Sequence, residues 1–460
     1  MDEPRPKIQR ELAFPPLTTG EARPNKEEGT EPSTAKGGAE SPTNTALLME
    51  EVCERENLRD ALHRVQSNKG SPGVDGMTVQ VLAEHFKKHW PTLRTQLLEG
   101  IYKPLPVKRV EIPKPDGGTR KLGVPTAQDR LIQQALLQVL QKRWDRTFSE
   151  HSFGFRPNRS AHQAVARAQQ YIAEGCHWVV DLDLEKFFDR VNHDILMGRV
   201  AKRISDKRVL KLIRAFLNAG VMENGLESPT EEGTPQGGPL SPLLSNLLLD
   251  DLDRELESRG LQFVRYADDC NIYVRSERAG LRVMESVKRF ISHRLKLKVN
   301  DSKSAVARPG TRKFLGFSFT SRREPKRRIA PKALDRFKDR IREMTRRTRG
   351  ISLEEMVGEL ARYLRGWKAY FSYCQTPSLL EELDEWIRRR LRMVIWKHWK
   401  QGRTRFRELR KRGVPRSLAA QTAGSPKGPW CIGGSVALQL AYRNTDFTSL
   451  GLISLRGTNA

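Results

Sequence analysis

The side chains in this sequence best placed to do chemistry are three aspartates. Asp183 follows the apolar run Trp178-Val179-Val180-Asp181-Leu182 and precedes Leu184-Glu185-Lys186-Phe187-Phe188-Asp189. The pair Asp268-Asp269 lies far downstream, between Phe263-Val264-Arg265-Tyr266 and Cys270-Asn271-Ile272-Tyr273-Val274. Carboxylates at the ends of apolar strands do not fill a core. Their oxygens are the ligands that Mg²⁺ prefers, and two such ions about 4 Å apart can activate a hydroxyl nucleophile and steady a leaving pyrophosphate. An isolated Asp-Asp more often marks a turn. Here that reading must account for two acidic sites, each at the end of a strand.

Holding the three together requires a sheet, and the sequence supplies one among helices. Helical spacing begins near Ala46, runs through Leu58, Leu62 and Val65, and stops at Asn68-Lys69-Gly70-Ser71-Pro72-Gly73. A second helix is expected from Val79 to Leu98. Lys108 to Lys114 and Thr119 to Val124 read as two strands around Pro115-Asp116-Gly117-Gly118, and a long helix should follow from Ala127 to Trp144. Further helices are expected near 193–219 and 240–259. After Pro331 the pattern is almost wholly helical, with Trp367, Tyr370, Phe371, Trp386, Leu391 and Trp396 as core candidates. The class is α+β, with no regular βαβ alternation and no internal repeat.

At 460 residues the chain suits two or three domains, and 37% hydrophobic residues are enough for a core. Its net charge of +27 points to a polyphosphate partner, and residues 321–420 alone carry 29 Lys+Arg against 12 Asp+Glu. A single basic run is usually a solvated helix face; an excess of this size over a whole region asks for more. The cysteines Cys53, Cys176, Cys270, Cys374 and Cys431 are scattered and form no C-x-x-C pair. That argues against a disulfide framework and a cysteine-rich zinc module, and fits a cytoplasmic setting. There is no apolar run long enough to cross a membrane, and residues 1–45 read as a flexible leader rich in Pro, Glu, Gly and Thr.

Tyr266-Ala267-Asp268-Asp269 resembles the Y-x-D-D hairpin of reverse transcriptases, the Asp183 segment resembles their other metal motif, and Gly233-Thr234-Pro235-Gln236-Gly237-Gly238 resembles the P-Q-G turn between them. More narrowly, the chain resembles bacterial group II intron-encoded reverse transcriptase/maturases. The matching segments are Asn68 to Gly76, Ile112 to Gly118, His151-Ser152-Phe153-Gly154-Phe155-Arg156-Pro157, Phe314-Leu315-Gly316-Phe317 and Gly366-Trp367-Lys368-Ala369-Tyr370-Phe371. The similarity runs from about Glu50 to the end.

The resemblance implies a right-hand polymerase. It places a helical N-terminal extension at 46–100, fingers and palm at 101–320, an α-helical thumb/maturase domain at 331–400 and a small basic DNA-binding region at 401–460. Asp183, Asp268 and Asp269, with the Leu184 carbonyl, would hold two Mg²⁺ ions. Lys114 and Arg120, expected on one face of the hairpin, would grip the incoming triphosphate, as a cation and a forked guanidinium suit phosphate. Phe188 would pack beneath the incoming sugar and exclude a 2′-hydroxyl, although Phe187 and Phe188 could equally be core. Gln236 would lie at the template base pair, or only in a turn. Lys303 matches a palm lysine, although Ser304 stands where the family often has Thr. Arg388, Arg389 and Arg392, interleaved with an apolar seam, would present cations to RNA. The implied partners are the intron RNA, an RNA template with a DNA primer, and target DNA; a homodimer is left open. The lack of paired cysteines implies the form without the metal-binding endonuclease domain. The expected function is RNA-directed DNA synthesis, assistance of intron splicing, and copying of the intron in retrohoming. A retron or diversity-generating reverse transcriptase would share the palm motifs but lack the Gly366–Phe371 motif and the long basic region. A splicing factor without polymerase activity would be expected to have lost an aspartate.

Overall fold

The computed structural model describes residues 46–113, 119–223, 226–228, 232–234, 237–321 and 323–457. The expected leader, Lys114 and Gln236 lie outside them. The N-terminal helices are α1 (Leu48–Val52), α2 (Arg55–Ser67) and α3 (Leu82–Glu99). The helical pattern expected to run unbroken through Cys53 is interrupted there, because Glu54 adopts an extended conformation and opens α2 as its N-cap. Helix α3 continues through Pro91 and closes on Gly100 in the left-handed conformation. All three pack around α4 (Ala127–Trp144), which begins where the Thr126 hydroxyl accepts the Asp129 N–H at 3.1 Å. Helix α4 is buried nearly all round, so Asp129, Arg130, Gln133 and Gln134 are enclosed along with Leu131, Ile132, Leu136 and Leu140.

A small sheet has the order β2-β1-β4-β5, from β1 (Val107–Pro113), β2 (Thr119–Val124), β4 (Val221–Glu223) and β5 (Leu226–Ser228); β1 and β2 are antiparallel, and β1 runs parallel to β4. The central sheet has the order β6-β7-β3-β8, from β3 (Trp178–Leu182), β6 (Gln262–Tyr266), β7 (Asp269–Val274) and β8 (Ala305–Ala307), all neighbours antiparallel. Side chains alternate across a strand, and here both faces are covered. Val180, Leu182 and Ile272 join the core shared with α8 (Ser241–Ser258) and α9 (Glu277–Phe290). Val179, Val264 and Tyr273 pack with Ala164, Val165 and Ala168 of α5 (Ala161–Ala173) and with Phe314 and Phe317. Burial on both faces explains why β3 reads as a continuous apolar run rather than an alternating one.

The region expected as one helical span near 193–219 is two helices, α6 (His193–Ala201) and α7 (Lys207–Leu217), because the Asp206 side chain caps a new start. A two-stranded sheet of β9 (Phe317–Phe319) and β10 (Arg327–Ile329) precedes α10 (Pro331–Met344), α11 (Leu353–Phe371) and α12 (Pro377–His398). Five shorter helices follow: α13 (Gly402–Lys411), α14 (Arg416–Ala423), α15 (Pro429–Gly433), α16 (Val436–Ala441) and α17 (Asn444–Ser449). Together α10–α17 enclose a second core that includes Phe337, Leu360, Trp367, Leu391, Trp396, Leu438 and Phe447. Of the expected core residues, Trp367, Leu391 and Trp396 are buried, whereas Tyr370, Phe371 and Trp386 are half-buried. Phe371 packs on Phe317 with ring centroids 5.4 Å apart, and the Tyr370 hydroxyl donates to the Leu315 carbonyl at 2.8 Å, tying α11 to β9 and the segment before it. Among the described residues no helix is long and apolar enough to cross a membrane.

Candidate active site on the central sheet

The strand register gathers the aspartates. Leu182 pairs with Cys270, so Asp183, one residue on, emerges beside Asp269, and Tyr266 pairs with Asp269 across the turn made by Ala267 and Asp268. Ala267 takes a left-handed φ of 58°. The segment after Asp183 is fixed from the other side: Asn300 N–H donates to the Asp183 carbonyl at 2.8 Å, Glu185 N–H donates to the Lys298 carbonyl at 2.8 Å, and Leu184 bridges Val299.

Electrostatically the site is short of positive charge. Asp269 has one side open to solvent, but the protein packed around its carboxyl, followed by the charges of Asp268, Asp181 and Asp183, pushes its pKa up to about 7. Asp268 is raised in the same direction, first by burial and then by Asp183, while Arg120 and Arg265 act against the shift. Lys303 Nζ lies 3.4 Å from Asp183 Oδ2. Among the described residues no group of three or more His, Cys, Asp or Glu side chains is arranged, as it stands, to hold a metal ion. The donors are nonetheless the right kind for a hard divalent cation: clustered carboxylates that repel one another until such a charge is shared between them.

The remaining expected residues divide into three groups. Arg120 is exposed on β2 opposite Ile112, and its charge reaches Asp268. Phe187 is core, whereas Phe188 is half-exposed in a single 3-10 turn, with the two rings edge to face at 5.1 Å. The loop around Gln236 is held at both ends. Thr234 N–H donates to the Phe188 carbonyl at 2.6 Å, and Gly237 adopts a φ of 139° with its Cα so near the Gly123 carbonyl that a Cβ would lie 2.6 Å from that oxygen. Lys114 and Gln236 themselves lie outside the described residues.

The expected basic face on α12 needs correction. Arg392 is turned inward and buried; its guanidinium donates to the Tyr442 carbonyl at 2.9 and 3.1 Å and lies over the Phe447 ring. Burial, followed by repulsion from Arg388, pulls its pKa down to about 10. Arg389 stacks on Trp430 with its guanidinium 4.3 Å from the ring centre and donates to the Trp430 carbonyl at 3.3 Å. Arg390 donates to Thr345 Oγ1 at 2.6 Å. These arginines tie α12 to α15, α17 and the end of α10, so the seam recognised in the sequence is real. Of the three expected cations Arg392 is the buried one, whereas Arg388 and Arg389 are both half-exposed.

The sequence reading passed over Asp181 and Arg312. Asp181, on the same strand as Asp183, pairs with Arg312 (Nε to Oδ2, 2.7 Å), and Arg312 also donates to the Lys303 carbonyl at 2.5 Å. A charged residue inside an apolar strand was the available signal.

Comparison with known proteins agrees with this arrangement. Residues 112–319 match the family described as reverse transcriptase (RNA-dependent DNA polymerase), and residues 334–413 match the group II intron maturase-specific domain. Protein YkfC of Escherichia coli is 33% identical over 300 residues, covering 56% of this chain and 78% of that one. The group II intron-encoded protein LtrA of Lactococcus lactis subsp. cremoris is 30% identical over 331 residues, 57% of this chain and 55% of that one, so the chain spans about half of LtrA. A putative COX1/OXI3 intron 2 protein of Saccharomyces cerevisiae is 34% identical over 203 residues, 43% of this chain and 23% of that one. With a sheet that carries its aspartates at one end of its middle strands and a maturase-specific helical region that follows it in the chain, the chain belongs to the group II intron reverse transcriptase/maturases, a family of RNA-directed DNA polymerases with a role in intron splicing.

Proposed function

We propose that Asp183, Asp268 and Asp269 form the polymerisation centre of this chain, and that it copies its own intron RNA into DNA from a primer during retrohoming. The observation that carries this reading is the convergence of the three carboxylates at one end of the middle strands β3 and β7, with Asp269 raised to about 7 by burial and then by its acidic neighbours. Reverse transcriptases use divalent metal ions; the residues that would hold two Mg²⁺ here are the three aspartates and the Leu184 carbonyl. Such ions, when bound, lower the pKa of the attacking hydroxyl and stabilise the charge that develops on the phosphate and the leaving pyrophosphate.

The protein's own groups do the rest. Arg120 meets the triphosphate with a forked donor, and Lys114 is assigned the same task. Phe188, exposed on one side and backed by Phe187, forms a rigid floor under the sugar. Gln236 is assigned to the template base pair; of the described residues beside it, Thr234 is bonded to the Phe188 carbonyl and Gly237 packs against the Gly123 carbonyl. Residues 46–100 are read as the helical extension, 101–320 as fingers and palm, 331–400 as the thumb/maturase domain and 401–460 as the DNA-binding region. Splicing assistance is assigned to the basic helical part, which would hold the intron RNA fold while the RNA performs its own chemistry.

The test is primer extension by the purified chain on an RNA template with a DNA primer, dNTPs and Mg²⁺. Extension that needs all four components supports the assignment; its absence under conditions where the protein is folded and binds the template refutes it.

A further inference from the structure

The catalytic turn is gripped from two sides by groups with no assigned role. Arg265, at the end of β6, has its whole side chain enclosed, and its guanidinium makes four hydrogen bonds. Two go to Asp253 of α8 (Nε to Oδ1, 2.7 Å; Nη2 to Oδ2, 2.5 Å), one goes to Asn246 Oδ1 at 3.0 Å, and one goes to the Ala267 carbonyl at 2.9 Å. That carbonyl belongs to the same peptide plane as the Asp268 N–H, so the bond from Arg265 fixes the plane from which Asp268 departs. The preceding plane is fixed by Gly154. Its Cα lies so close that a Cβ would stand 2.3 Å from Ala267 N and 2.9 Å from the Tyr266 carbonyl carbon. Asn246 closes the circuit: its Nδ2 donates to the Gly154 carbonyl at 2.9 Å while its Oδ1 accepts from Arg265. Backbone bonds hold the Gly154 segment to the same strand, with Phe153 N–H to the Arg265 carbonyl and Arg265 N–H to the His151 carbonyl, both at 2.9 Å.

Between the two pinned planes sits Ala267 at a φ of 58°, a conformation that costs a non-glycine residue free energy and persists only where the surroundings over-determine it. A plain structural ion pair would need only Asp253. One further bond of Arg265 goes to the turn itself, and Asn246 joins Arg265 to Gly154, the residue packed against the turn's other peptide plane. We propose that Arg265 and Asn246 are positioning residues of the polymerase reaction, holding Ala267 left-handed so that Asp268 and Asp269 leave the turn on the side of Asp183. This inference rests on the polymerisation reading above, and its test separates the two.

Asn246→Ala removes the link to Gly154 and one bond to Arg265 but leaves the Arg265–Asp253 pair, so the fold is retained. Amide hydrogen exchange of the metal-free protein, followed by mass spectrometry, should then show faster exchange across residues 266–269 with residues 178–182 unchanged. In primer extension kcat should fall on the order of tenfold or more, with the dNTP KM within about twofold, as expected when reacting groups are misplaced rather than lost. Asn246→Asp, which keeps the acceptor for Arg265 but loses the donor to Gly154, should fall between. Unchanged exchange at 266–269 with unchanged kcat overturns the proposal. So does uniformly faster exchange over the whole sheet, which would reduce both residues to ordinary core. Wild-type protein that shows the protected turn yet never extends a primer refutes the polymerase reading and leaves the clamp standing.

Discussion

The acidic end of the central sheet and helix α12 hold their charges in opposite ways. At that end, Asp183, Asp268 and Asp269 crowd together with Asp181; Arg312 pairs with Asp181, Lys303 lies 3.4 Å from Asp183, and Arg120 acts on Asp268, yet Asp268 and Asp269 are still pushed upward. On α12, Arg389, Arg390 and Arg392 each have an internal partner: an exposed Trp430, a buried Thr345 hydroxyl and the Tyr442 carbonyl. A cluster of like charges left unbalanced costs stability and persists where something else is meant to balance it. A charge with protein acceptors on every side contributes to the fold instead. The sign of a charge run therefore says less about its role than whether its partners are within the chain.

This contrast can be broken most sharply at the acidic end. Asp268→Ala with Asp269→Ala should remove DNA synthesis altogether in primer extension, because methyl groups coordinate nothing. Thermal stability should hold or rise, since the change relieves repulsion between Asp183, Asp268 and Asp269. A marked drop in melting temperature would mean the aspartates serve the fold.

Next in size is Arg392→Ala. Removing a buried guanidinium leaves the Tyr442 carbonyl without its donor and should cost about 1 to 3 kcal/mol in denaturant unfolding. Its effect on RNA binding should follow from that loss, so that under conditions where the variant is folded its RNA affinity is close to wild type. A large affinity loss in folded protein would restore Arg392 to the surface role expected from the sequence.

Phe188→Ala should admit ribonucleotides while dNTP incorporation continues, because Phe188 is half-exposed at the margin of the core whereas Phe187 is buried within it. Unchanged discrimination with activity intact would place the sugar filter elsewhere. Smallest is Arg388→Ala: if it contacts one phosphate, the slope of log affinity against log salt should fall by about one, with stability unaffected.

Much of the site was legible because the features that build it are local. Apolar runs ending in acidic residues place Asp183 at a strand end and Asp268 in a hairpin turn, and the length of α4 follows from recurring apolar residues between Thr126 and Trp144. What stayed hidden was the direction of charged side chains. Arg265 and Arg392 look alike in sequence, basic residues beside apolar ones, and both prove buried only because partners distant in the chain, Asp253 and Tyr442, meet them in the fold. The break between α6 and α7 and the start of α2 after Glu54 leave the apolar spacing undisturbed: Asp206 caps a new helix with its side chain, and Glu54 breaks the helix by an extended backbone alone.

The central claim is that the acidic end of the sheet and the basic helical region serve separate tasks in one chain. The direct measurement is intron splicing at near-physiological Mg²⁺ by the Asp268→Ala, Asp269→Ala protein, run beside its primer extension. The account predicts splicing assistance close to wild type with synthesis absent. Splicing lost as completely as synthesis, in protein that melts like wild type, would contradict it.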